Sequence, residues 1–433
     1  MNMREIKICI AGLGNVGSSV VQSLIDSRKF INLKSNFNIN ILGISAKNKN
    51  KKRIFDISKY EWFNNPLDFL NTDCDIVIEL IGEEKGLSYD LVKSSLTKGK
   101  HVITANKALL AKNGSELFKI ADENNTYLLY EAAVAGGIPI IKTLKNNIAL
   151  NKIKKISGIL NGTTNYILTM MEQDNLSFDE AILIAQSKGY TSPSESELDI
   201  GGLDSAHKLT ILSSLCFGAE VDFDNNYITG ISEIKYDDIK NAKNLGYKIK
   251  LISESLIVNN KIFSITSPKL ISMNKPLASV DGVLNAINIE TDQLESLFLE
   301  GEGAGGRATA SSVISDINEI FTNTNVNSLG FKVDHLTKYT KFELSDLESS
   351  YYLRIMTQDI TGVLSKITSY FKDSNISVEK ILQLPESKDK PIPIIITTHK
   401  VKRSTLLKSL EQIEKQSFVL DKIIVIPVDN GQE

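Results

Sequence analysis

Ile6-Lys7-Ile8-Cys9-Ile10-Ala11 runs directly into Gly12-Leu13-Gly14-Asn15-Val16-Gly17, and the reading of this junction decides the fold. An apolar run of strand length, a Gly-x-Gly-x-x-Gly string and a helical pattern over Val16–Ser27 make the opening of a strand–helix–strand unit. Glycines alone often do no more than form a turn, but in this setting each has a task. Gly12 permits the tight turn, Gly14 lets backbone approach a pyrophosphate, and Gly17 lets helix and strand pack closely. The helix N-terminus, at Asn15 and Val16, favours the negative charge of a phosphate. The junction is therefore a candidate dinucleotide site.

The alternation continues C-terminally. Strands are predicted at Ile39–Ser45, Asp75–Leu80, His101–Thr104 and Tyr127–Tyr130, with helices at Tyr89–Lys98 and Gly114–Asn124. That is the pattern of a parallel sheet with crossover helices. A site selective for NAD carries an Asp or Glu about 20 residues past the glycines, to bond the ribose 2′-hydroxyl. Here the second strand ends Gly43-Ile44-Ser45-Ala46 and continues through Lys47, Lys49, Lys51, Lys52 and Arg53, with no acid before Asp56. Cations where a 2′-phosphate would lie, Lys47 and Arg53 among them, favour NADP, and so NADPH over NADH. Lys107, in Thr104-Ala105-Asn106-Lys107, falls at the carboxyl edge of the sheet, where ligands of open α/β sheets bind.

The rest of the chain sets the frame. Its 433 residues suggest about three domains. With 42% hydrophobic and 23% charged residues, wholesale disorder is excluded, and a net charge of −3 gives no field to recruit nucleic acid or anionic lipid. Cys9, Cys74 and Cys216 make neither a metal-ligand spacing nor a disulfide framework, and the histidines are scattered. No apolar run is long enough for a membrane span and no signal-peptide pattern fits Met1–Glu5, so a cytoplasmic protein is expected. The expected class is α/β, with a Rossmann dinucleotide domain at residues 1–131 and a mixed α+β domain at 132–309, which the resemblance given below implies to be the catalytic and dimerisation domain. Helix 310–322 is expected to return to the first domain. The polar stretch 323–348 reads as a linker. Beyond it, residues 349–433 place strands Tyr351–Met356, Val378–Leu384, Pro393–His399 and Lys422–Val428 around helices Val363–Asp373 and Ser404–Lys415. That β-α-β-β-α-β order is ferredoxin-like.

A further chemical signal is Gly189-Tyr190-Thr191-Ser192-Pro193-Ser194-Glu195-Ser196-Glu197-Leu198-Asp199-Ile200-Gly201-Gly202-Leu203-Asp204, followed by Ser205-Ala206-His207-Lys208. Asp204 and Lys208 share one face of a helix. On a surface such a pair is common and worth a few tenths of a kcal/mol. The apolar Leu209-Thr210-Ile211-Leu212 that follows points instead to a buried helix, and buried acids and lysines are seldom there for stability alone.

Taken together, these motifs resemble the monofunctional homoserine dehydrogenases that end in an ACT domain, over nearly the whole chain. The resemblance rests on Gly12–Gly17, Thr104–Lys107, Glu131-Ala132-Ala133-Val134-Ala135-Gly136-Gly137-Ile138-Pro139 and Gly158-Ile159-Leu160-Asn161-Gly162-Thr163-Thr164-Asn165-Tyr166. It rests also on Gly202-Leu203-Asp204 with Lys208 and on Gly303-Ala304-Gly305-Gly306, while Asp359-Ile360-Thr361-Gly362-Val363-Leu364 is similar to the turn that opens the first ACT helix. The resemblance implies NAD(P)H-dependent reduction of L-aspartate 4-semialdehyde to L-homoserine, on the route to threonine, methionine and isoleucine. It implies Lys208 as proton donor, Asp204 as the acid that holds the substrate amine, and Lys107 beside nicotinamide and substrate. Gly189 is the implied backbone substrate contact and Gly303 a late cofactor contact.

Further implications are a monovalent cation, Na+, near Glu131, Val134, Gly136 and Ile138, an amino-acid effector (threonine) at the ACT turn, and a homodimer or homotetramer. The family's substrate-binding glutamate falls on Ser192 or Pro193, in a segment one residue longer than usual; Glu195 is the candidate, with Glu197 behind it. Two lysines around a developing alkoxide supply one donor and one clamp, and their repulsion is expected to favour loss of a proton from one. The C-terminal unit holds none of these residues, so catalysis is not expected to need it chemically. Among competing readings, an aspartate-semialdehyde dehydrogenase needs an activated cysteine, which none of these three suggests. A non-catalytic nucleotide and amino-acid sensor needs no proton donor.

Overall fold

The computed structural model describes residues 4–35, 37–322, 327–383 and 391–429. Met1–Met3, the linker residues 323–326 and Leu384 lie outside the described residues. Strands β1 (Arg4–Ala11), β2 (Phe37–Ser45), β3 (Glu61–Phe63), β4 (Ile76–Glu79), β5 (His101–Thr104) and β6 (Leu128–Leu129) form an all-parallel sheet in the order β3-β2-β1-β4-β5-β6. Both faces of β1 are covered, so Ile6, Ile8, Cys9, Ile10 and Ala11 are all fully buried. This is why the strand reads as a nearly continuous apolar run. The strand order reverses between β1 and β4, and the glycine turn leaves the sheet at that switch point. Helix Gly306–Thr322 returns from far along the chain to pack on helix Asn15–Asp26, placing Ala310, Val313 and Ile317 in the same core.

The second sheet begins with β7 (Ile153–Ile159), β8 (Asn226–Ile228), β9 (Tyr247–Val258), β10 (Lys261–Ser272), β11 (Leu284–Thr291), β12 (Leu297–Glu302) and β13 (Thr340–Lys341). Between β9 and β10 stand Asn259 and Asn260, with φ of 49° and 59°, the left-handed pair that a two-residue hairpin turn requires. Helices Gly162–Gln173 and Leu203–Phe217 lie against this sheet and carry the site described below.

The last unit contributes β14 (Glu348–Thr357), β15 (Val378–Gln383), β16 (Ile392–Thr398), β17 (Val401–Lys402) and β18 (Ile424–Asp429), around helices Val363–Asp373 and Arg403–Glu414. Its strands do not stand apart. β18 pairs in parallel with β10 at Leu270–Val428 and Ile271–Asp429, so one twelve-stranded sheet runs β12-β11-β7-β9-β10-β18-β14-β16-β15, with β8 and β13 also on β10 and β17 on β14. Tyr352, Ile395, Ile424 and Ile426 share a core with Tyr166, Ile249 and Leu270. Inside this seam the buried Asp238 accepts from Arg354 Nε at 2.7 Å and from the Tyr352 hydroxyl at 3.0 Å.

The stretch read as a linker is likewise attached. Thr340 pairs with Lys261 on β10, Phe342 N donates to the Ile262 carbonyl at 2.8 Å, and Leu329 is buried. Backbone hydrogen bonds hold this segment, and these leave no periodic trace in a sequence. No described helix is long and apolar enough to cross a membrane.

Candidate active site

Lys208 lies in helix Leu203–Phe217, which starts after a left-handed Gly202 (φ 84°) and is buried from Ser205 to Cys216. Its Nζ donates to the Leu160 carbonyl at 2.6 Å and to Asp204 Oδ2 at 2.7 Å. The other Asp204 oxygen faces Lys107 Nζ at 3.1 Å. Lys107 comes from the Rossmann domain, as the first residue of helix Lys107–Glu123, which Asn106 caps by accepting from Leu109 N at 3.0 Å. Three residues chosen from sequence thus meet across two domains.

Two groups join them that spacing alone does not reveal. Asn161 caps helix Gly162–Gln173 through Oδ1, accepting from Thr164 N at 2.8 Å, and its Nδ2 donates to Asp204 at 2.9 Å and Asp199 at 2.7 Å. Thr191 Oγ1 donates to the second Asp199 oxygen at 3.0 Å. Asp199 ends up beside Asp204 because the chain breaks at Gly201-Gly202 between two helices, and no single helical period predicts that juxtaposition. The sequence signals were the Asn161-Gly162-Thr163-Thr164 string and the stretch Gly189–Asp204 that contains Thr191 and Asp199. Glu195, the candidate carboxylate, is exposed on helix Pro193–Ile200, where it accepts from Ser192 Oγ at 2.8 Å. Glu197 is exposed as well. Gly189 follows helix Phe178–Ser187 at φ 73°, and the neighbouring Tyr190 carbonyl accepts from Thr163 Oγ1 at 3.1 Å.

The electrostatics bear on the charge of Lys107. Burial pushes the Asp204 carboxyl up, but Lys208 and Lys107 together outweigh it and hold it far below the usual carboxylate range. Asp204 in turn raises the Lys107 ammonium above its ordinary value. Repulsion between the lysines therefore does not discharge Lys107, because an anion stands between them. Asp199 is shifted the other way: burial, then Asp204, raises its carboxyl.

The glycine turn suits a dinucleotide. A Cβ on Gly12, at φ 96°, would lie 2.3 Å from the Leu80 carbonyl oxygen, and one on Gly17 would lie 1.9 Å from that of Gly12. Gly14, just before Asn15 and Val16, has nothing within 4 Å of its missing Cβ, so this approach to the helix N-terminus is open. Gly303 is packed so closely on Asn285 that a Cβ would lie 2.0 Å from its side chain, and it adjoins Gly136. Lys47 is exposed beyond β2. The Arg53 guanidinium donates to the carbonyls of Asn48, Lys49 and Lys51 and covers the Trp62 ring, which closes its own loop.

At the domain junction, the Glu131 carboxylate accepts from Ile141 N at 2.8 Å and Lys142 N at 2.9 Å. Its side chain is thus already engaged. The Gly136 carbonyl accepts from Ser312 Oγ at 2.6 Å, and Val134 and Ile138 are buried nearby.

Comparison with known proteins shows the family. Residues 12–131 match the family model of the homoserine dehydrogenase NAD-binding domain, residues 139–318 that of homoserine dehydrogenase, and residues 351–417 that of the ACT domain. Homoserine dehydrogenase of Neisseria gonorrhoeae is 34% identical over 435 residues, covering 99% of each chain. A crystal structure of a homoserine dehydrogenase from Thiobacillus denitrificans superimposes with a TM-score of 0.92 at 33% identity, covering 99% of each. A hyperthermophilic archaeal homoserine dehydrogenase mutant in complex with NADPH matches 74% of this chain and 99% of its own, with a TM-score of 0.61 at 26% identity. Similar over its whole length in both sequence and fold, the chain belongs to the homoserine dehydrogenase family.

Proposed function

We propose that the chain interconverts L-aspartate 4-semialdehyde and L-homoserine with Lys208 as the proton donor to the substrate oxygen. The observation that carries this reading is the Lys208 ammonium on Asp204 and the Leu160 carbonyl, facing a lysine from the cofactor domain. A bound nicotinamide supplies the hydride, and the turn Gly12–Gly17 holds its pyrophosphate. Hydride arrival turns the aldehyde oxygen into an alkoxide, which needs a proton in a site shielded from water. An ammonium has three N–H groups, and two of those on Lys208 are held by protein, leaving one for the substrate. Lys107, kept charged by Asp204, stabilises the developing negative charge. Asp204 and Asp199 together balance the two lysines, and the substrate ammonium would relieve the crowding of these carboxylates. Glu195 remains a candidate at the edge of that amine site.

The acid-free end of β2 and exposed Lys47 favour NADPH over NADH, with Arg53 shaping the loop. A monovalent cation such as Na+ would be held mainly by the carbonyls of Val134, Gly136 and Ile138, an oxygen set that suits a hard ion. Threonine is the proposed effector, in the cleft of about 550 Å3 lined by Asp359–Leu364 and Gln383, and a homodimer or homotetramer the proposed assembly. The test is oxidation of NADPH by the full chain with aspartate 4-semialdehyde. Turnover by wild type and its collapse in Lys208→Ala support the reading; a fully active variant overturns the assignment.

A further inference from the structure

A cavity of about 350 Å3 lies outside this site, between the catalytic sheet and the ACT unit. It exists because, among the described residues, β10 and β18 pair only at Leu270 and Ile271 and part on the N-terminal side of that pair. Pro268 has no N–H for a ladder bond, and nearer its start β10 pairs with β8 instead, at Ser264–Thr266. Ile265 and Pro268 wall one side of the wedge and Ile424 the other, with Leu407 at the rim. Leu407 is 41% exposed at that rim.

The charged groups on the wall are not equivalent. Glu411 pairs with Lys415, Glu414 accepts from Ile423 N at 2.9 Å, and Glu233 and Lys422 stand on the wall as well. Half-buried Arg403 lies beside the Tyr351 hydroxyl and has no carboxylate within ion-pair reach among the described residues, although its neighbour Lys402 has Asp346 at 2.7 Å. A guanidinium fork beside an apolar wedge fits a carboxylate on an aliphatic body.

The opposite wall leads to the active site. Thr229 and Gly230 line the cavity, and Ile231 N donates to the Ile200 carbonyl at 3.0 Å. A Cβ on Gly230 would stand 2.2 Å from that same oxygen, so no slack separates this wall from the end of the helix that carries Asp199.

We propose that this cavity binds a small carboxylate with a branched aliphatic body, anchored on Arg403, and that its occupancy sets the position of Asp199. The site is separate from the ACT turn Asp359–Leu364. A free amino acid and its 2-oxo acid share the required chemistry, so L-leucine and 4-methyl-2-oxopentanoate are the probes. Isothermal titration of the full chain with each should show binding of at least one, and which one binds separates the two sources. Arg403→Met should weaken that binding about tenfold or more. Leu407→Trp, at an exposed rim position, should abolish it by filling the wedge, and Asp359→Ala should leave it unchanged. Binding of neither probe, or undiminished binding in either Arg403→Met or Leu407→Trp, overturns the proposal. So does loss of binding in a folded Asp359→Ala. Saturating probe should also shift KM for homoserine; an unchanged KM overturns the link to Asp199 while leaving the titration to decide the site.

Discussion

Lys208 shows how little of a residue's role lies in its identity and how much in its three neighbours. On a surface helix Asp204 and Lys208 would be a weak pair. Here the same pair is buried, shares Asp204 with a lysine from another domain, and rests on a main-chain carbonyl. Lys208→Ala is expected to lower kcat by about 10²–10⁴, with cofactor affinity by fluorescence titration nearly unchanged. Asp199→Asn tests the acid that spacing missed. It should raise KM for homoserine by about tenfold, the weight of one hydrogen bond to a charged group, with cofactor affinity again intact. An Asp199→Asn enzyme with unaltered KM would leave Asp199 a partner of Asn161 and Thr191 alone.

At the scale of elements, the glycine turn and the hairpin β9–β10 make separable predictions. Gly17→Ala places a Cβ 1.9 Å from the Gly12 carbonyl oxygen, whereas Gly14→Ala meets nothing within 4 Å. The first should lower the melting temperature and cofactor affinity together. The second should weaken cofactor binding in a chain that melts normally. In the hairpin, burial pushes the Glu254 carboxyl up, but Lys269 and Lys155 prevail and bring it down to about 2 from an ordinary 4.5. A lowered carboxylate value gives stability that is present above about pH 4.5 and lost as pH falls toward 2. Glu254→Gln should therefore cost about 3 kcal/mol at neutral pH, with the difference from wild type shrinking in acid, as urea denaturation at several pH values would show.

For the whole molecule, the seam between catalytic and ACT units matters most. Asp238 and Arg354 face each other with side chains 0% and 3% exposed, so removing one strands the other. Arg354→Met should destabilise the chain by about 3–5 kcal/mol, read as a lower denaturation midpoint. A chain ending near residue 345 keeps every candidate catalytic residue, yet it loses β18 from beside β10 and uncovers Tyr166, Ile249 and Leu270. The expected outcome is an enzyme that melts earlier and aggregates, rather than one that merely loses an effector response. A truncated chain as stable as full length would show the seam to be weak.

The parallel sheet, its glycine turn and the closing β-α-β-β-α-β unit were legible in the sequence, because burial on two faces, a tight turn and helical periodicity are local demands that particular residue types must meet. Ile6–Ala11 with Gly12–Gly17 is the plainest case. Lys107, Asp204 and Lys208 were legible as candidates for the same kind of reason: a strand end and a helix face are local addresses. Only the tertiary structure decided that Asp199 and Asn161 complete the cluster, that Asp204 lies between two lysines, that Arg53 turns back on its own loop, and that β18 docks on β10. Each of these depends on how separate segments approach in space. A carboxylate's charge and a strand's edge take their meaning from whatever the fold sets a few ångströms away, and no local pattern records that.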